Sequence, residues 1–115
     1  MKPEPVLAKL NELRKNAEGE GGVEEKALYH AFCYVSYEVG PFGEFVEKGR
    51  EPLQKKGAGP GDLAWEYLEA LEGLREEVAE DEEDIEFIAL DKAVGFISRT
   101  LGDFQAYLDE AGPGA

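Results

Sequence analysis

Apolar residues recur at intervals of three and four along nearly the whole chain, and no segment shows the β-branched alternation of a half-buried strand. That spacing puts one stripe of side chains on one face of a helix, so the chain reads as all-α, a compact antiparallel bundle of about four helices. The first helix covers about 4–17, with Val6, Leu10 and Leu13 on one face and Pro3 and Pro5 suited to its start. "EGEGG" at 18–22 ends it. Residues 49–61 hold four Gly and two Pro and read as a loop.

Between them, Leu28, Phe32, Val35, Val39, Phe42 and Val46 keep a 4-3-4-3-4 phase straight through Gly40 and Pro41. An unbroken phase favours one helix over 24–48, kinked at Gly40-Pro41 with the distortion spread over Tyr37 to Pro41, because proline removes a backbone donor and clashes with the carbonyl four residues earlier. A C-cap at Gly40 with a restart at Pro41 is the alternative. The eleven residues 27–37 carry no formal charge, so this helix is apolar on both faces. On the second face His30, Tyr34 and Tyr37 project together, with Cys33 nearby and Phe45 adjoining. A helix apolar all round is buried all round, which leaves helix one, the 49–61 loop, a ligand or a second subunit to cover that face.

Helix three begins after Gly61 with Asp62 as N-cap and the stripe Ala64, Tyr67, Leu71, Leu74, Val78. A new series, Phe87, Leu90, Val94, Ile97, Leu101, Phe104, Leu108, breaks phase with it. A tight turn near 80–83, with Asp81 or Asp84 as the next N-cap, makes helices three and four an antiparallel hairpin. Helix four is buried over a wide face, because Ala89, Ala93, Phe96, Thr100, Tyr107 and Ala111 flank its main stripe. Gly95, Ser98 and Gly102 share its other side and read as incidental small residues in a Gly-rich chain, with a groove for close helix approach as the alternative. "GPGA" at 112–115 reads as a terminator.

A chain of 115 residues is expected to form one domain, 1–115, around one core. No apolar run approaches the roughly 18 residues that a membrane span requires, and the N-terminus lacks an apolar signal region, so a cytoplasmic protein without membrane contact is expected. One cysteine, Cys33, allows no internal disulfide, and one histidine, His30, allows no His-His metal pair. No catalytic, metal or cofactor site is expected: Cys33 and His30 lack a third orienting group, and no phosphate loop is present.

Charge is distributed unevenly. Residues 1–61 hold ten acids and nine bases, whereas 62–115 hold sixteen acids and three bases. Such a half repels a phosphate backbone, which argues against direct nucleic-acid binding. The run 76–86 has eight acids in eleven positions. Its edge, Glu69, Glu72, Glu76, Glu80, Glu83 and Asp84, is the candidate surface for a basic protein partner, with solubility as the plainer role. The expected function is thus a non-enzymatic interaction or inhibitory module. A small-molecule-binding bundle using His30, Tyr34 and Tyr37 is one alternative, and an accessory subunit of a multi-chain enzyme is another. Homodimerisation through the second face of helix two (His30, Cys33, Tyr34, Tyr37, Phe45) or the wide face of helix four is expected too.

Overall fold

The computed structural model describes residues 2–111, so the terminator expected at 112–115 lies outside the described residues. Six helices follow in order: α1 (Pro3–Ala17), α2 (Val23–Tyr37), α3 (Val39–Lys48), α4 (Leu63–Glu77), α5 (Ile85–Arg99) and α6 (Leu101–Ala111). No strand occurs among the described residues. The all-α reading holds, but about four helices was too few, because two of the expected helices are each interrupted at a single residue.

The first interruption is at Glu38, with φ −101° and ψ 37°, within the expected Tyr37–Pro41 span but as a break between two helices, not a kink in one. The cause is still Pro41. In a continuous helix its ring would collide with the Tyr37 carbonyl, so the chain must leave helical geometry upstream of it. Pro41 then sits third in α3, in the first turn, where a missing N–H costs nothing. Glu38 N donates to Tyr34 O at 3.0 Å and Phe42 N donates to Glu38 O at 2.8 Å, so the break leaves few orphan groups. The apolar stripe does not survive it intact: Val39 is 51% exposed, while Val35, Phe42 and Val46 are buried.

The second interruption, at Thr100 (φ −130°, ψ 35°), divides the expected fourth helix without any proline. Here a side chain replaces backbone bonding. Thr100 Oγ1 donates to Phe96 O at 2.8 Å and accepts the Tyr34 hydroxyl at 2.8 Å. The 49–61 segment lies across the break as a strap. Gln54 Oε1 accepts from Gly102 N at 2.7 Å, and Asp103 Oδ2 accepts from Lys55 N at 3.2 Å. The strap approaches so closely that a Cβ on Gly102 would overlap the Lys56 carbonyl, and one on Gly95 would come within 2.9 Å of the Phe45 ring. Gly102 is therefore required by close backbone packing and Gly95 makes room for the Phe45 ring, so the close-approach alternative describes them better than incidental composition, although a loop and a ring, not a helix backbone, are what approach.

Helix ends are closed partly from a distance. Asp62 is the N-cap residue of α4, but its side chain turns back to accept from Gly59 N at 3.0 Å. The second amide of α4, Ala64 N, donates instead to Gln105 Oε1 of α6 at 2.8 Å. Gln54 and Gln105 are the only glutamines in the sequence, and each satisfies a helix amide that no local residue reaches. Asp84 caps α5 as expected, accepting from Glu86 N at 3.1 Å. Helix α1 packs on α2 and α5, and α4 packs on α2, α5 and α6. Phe42, Phe96, Phe104, Leu10, Leu71 and Ile97 fill the space between them.

Candidate functional site

The acidic edge is formed by α4 and the turn that follows it. Glu69, Glu72 and Glu76 lie at 3 and 4 spacing on one side of α4, and Glu80, Glu83 and Asp84 continue through the turn into α5. All six are exposed. None forms an ion pair among the described residues. Arg75, the base nearest to them in sequence, is turned to Asp91 of α5 at 3.2 Å. Lys9 of α1 feels the margin of the field: its ammonium pKa is raised first by its hydrogen bond to Glu12, with Asp84 and Glu86 adding to the effect.

The second face of α2 has its cover within the chain. His30 is 1% exposed and Tyr34 3%. The His30 ring lies parallel to Tyr67 of α4, and its Nδ1 is 3.0 Å from the Tyr107 hydroxyl of α6. Tyr34 packs on Phe96 and Phe104 and points its hydroxyl at Thr100. Burial pushes the Tyr34 phenol up to about 12, against the opposing pull of the Thr100 hydrogen bond. Burial also raises Tyr107, as does the thiol of Cys33 beside it. Tyr37 is at the rim, 77% exposed, with its ring 5.9 Å from Tyr107. Phe45 is not part of this group: it faces α5, with Lys92 Nζ 5.9 Å and Arg99 Cζ 5.4 Å from its ring centre.

Sequence reasoning had placed Thr100 and Tyr107 on the wide face of helix four without joining them to α2. Their spacing was the available signal, since two apolar faces of similar width in one short chain can cover each other. Beside Tyr37 an open cleft of about 880 Å³ remains, with Tyr107 and Thr100 on one wall, Pro41 and Glu38 on a second, and Leu53 and Lys55 of the strap on a third. Among the described residues no three His, Cys, Asp or Glu side chains converge as metal ligands, and no helix is long and apolar enough to cross a membrane.

Fold and surface together define an all-α bundle that carries an unneutralised acidic hairpin at one end of α5 and an open cleft towards the other. The chain belongs to the family described as vWA-MoxR associated protein middle region 5, whose model matches residues 1–111. No curated protein and no solved structure matches it.

Proposed function

We propose that this chain is a non-enzymatic docking module of a vWA-MoxR associated protein, presenting the acidic edge of the α4–α5 hairpin to a basic surface on a protein partner. The observation that carries the reading is the exposure of Glu69, Glu72, Glu76, Glu80, Glu83 and Asp84 with none of them in an ion pair among the described residues. Carboxylates held this way keep their field outside the molecule, where it speeds encounter with an opposite charge by about 10 to 1,000-fold at low salt. The family description, which couples these proteins to vWA and MoxR, makes a vWA or a MoxR protein the first partner to try. Binding between the purified chain and that partner is expected to weaken steeply from about 50 to 500 mM NaCl. Capture of a non-basic partner, or salt-indifferent capture, contradicts the reading.

A second reading, a small ligand beside Tyr37 and Tyr107, is favoured by the cleft there. With His30 inside the fold, such a ligand would meet Tyr37, Tyr107 and the strap, and Tyr37→Ala should abolish its binding. Self-association would use the exposed Tyr37, Val39 and Leu53. Light scattering at micromolar concentration separates a dimer from the 12.7 kDa monomer.

A further inference from the structure

The middle of the strap, residues 51–57, has no apolar anchor. Residues 53–57 are exposed, Pro52 is half-buried, and Leu53, the largest apolar side chain of the stretch, is 86% exposed. No backbone–backbone hydrogen bond involves 51–57 among the described residues. The stretch is held instead by polar contacts in register with the α5–α6 junction. Arg99 Nε donates to Glu51, Gly102 N donates to Gln54 and Lys55 N donates to Asp103, each pair 48 positions apart in the sequence. Both ends are closed independently of that middle. Gly49 N and Arg50 N bond Phe45 O and Glu44 O at the end of α3, and Asp62 N bonds Gly59 O while Asp62 Oδ2 accepts from Gly59 N. A swing of 51–57 therefore releases the register-matched contacts together and breaks no bond within a helix. Exposed backbone held by polar contacts alone belongs to the low-stability end of a fold, where segments open while the core stays closed.

We propose that the strap is a latch on the cleft beside Tyr37, undocking from the α5–α6 junction as one unit in the native protein. Docked, it covers the buried Gly102 and supplies one wall of the cleft through Pro52, Leu53, Lys55 and Lys56, facing Tyr37 and Tyr107. Undocked, it leaves the cleft open on that side and the first turn of α6 uncapped. One hydrogen bond to a helix amide and two exposed charged contacts together favour the docked state by about 30-fold, so about 3% of molecules are open at any moment. The latch deepens the second reading above and rests on it for the use of the cleft by a ligand, but the movement itself needs no ligand.

The test is hydrogen exchange of single amides, read by NMR on the full chain without any ligand. Gly102 N is the reporter, because it lies in the first turn of α6 and its partner is Gln54 of the strap. The expected protection at Gly102 is about 30-fold, against about 1,000-fold or more at Leu71 and Ile97 in the core. Glu51→Ala, at an exposed position, removes the Arg99 contact and does not touch Gly102 or its partner. It should speed Gly102 exchange about two- to fivefold and leave Leu71 and Ile97 unchanged. Gly102 exchanging as slowly as Leu71 and Ile97, or as fast as an unstructured amide, overturns the latch. Unchanged Gly102 exchange in Glu51→Ala overturns it too, because Gln54 then opens by itself. The ligand reading stands or falls separately, on the Tyr37→Ala binding test.

Discussion

Gly102→Ala and Gly73→Ala should have opposite effects, although both replace a helical glycine. Alanine is favoured over glycine by about 1 kcal/mol inside a helix, and Gly73 lies in α4 with nothing near its missing Cβ, so Gly73→Ala should gain most of that amount. At Gly102, in the first turn of α6, the new Cβ would overlap the Lys56 carbonyl, so either the strap leaves or the helix shifts. Leaving would sacrifice the Gln54 bond to Gly102 N, about 1 kcal/mol, and loosen the exposed Lys55–Asp103 and Arg99–Glu51 contacts, together about 1 kcal/mol at most. Forcing the strap to stay costs about 1–3 kcal/mol in overpacking. Because the chain takes the cheaper route, net destabilisation of up to about 1 kcal/mol follows once the propensity gain is subtracted. Thermal unfolding by circular dichroism should show Gly102→Ala down and Gly73→Ala up by several degrees each, at about 4 °C per kcal/mol for a chain of this size. Trypsin should also cut faster at Lys55 and Lys56 in Gly102→Ala. A raised melting temperature for Gly102→Ala, with unchanged cleavage, would refute the tight strap contact.

Further outcomes concern the Tyr34 network. Tyr34→Phe removes the donor to Thr100 Oγ1 and should cost about 1 kcal/mol in urea unfolding, because Thr100 keeps its bond to Phe96 O. Stability should hold up to pH 10 and decline from there towards about pH 12. Over that window the unfolded tyrosine loses its proton while buried Tyr34 keeps it, so the unfolded state binds fewer protons and rising pH favours it. The decline should be shallower in Tyr34→Phe, and an identical pH profile would contradict the burial argument. Phe42→Ala, which empties a fully buried site where α3 meets α5 through the Phe42–Phe96 ring contact, should cost about 3–5 kcal/mol in the same assay.

The sequence made the helices legible because their stripes are long and their stops are marked. Leu90, Val94, Ile97, Leu101, Phe104 and Leu108 are all buried as their spacing required. What it did not mark was that each bend would be a full break at a single residue. A proline acts on the carbonyl four residues before it, so the first break falls at Glu38, inside the Tyr37–Pro41 span, whereas the second rests on Thr100 and Tyr34, residues far apart in sequence. The cover of His30 and Tyr34 was hidden for the same reason, since Tyr107 and Tyr67 reach them only through the tertiary fold. The acidic edge needed no such contact: charge density alone placed Glu76 to Asp84 on the surface.

Whether the acidic edge carries docking is tested most directly by titration calorimetry against a vWA or MoxR partner, comparing the native chain with a Glu76→Gln, Glu80→Gln, Glu83→Gln variant across NaCl concentrations. The expected result is an affinity that falls steeply with salt for the native chain and is weaker, with a flatter salt dependence, for the variant. Equal affinity and equal salt dependence for the two proteins would contradict it and leave the carboxylates a role in solubility alone.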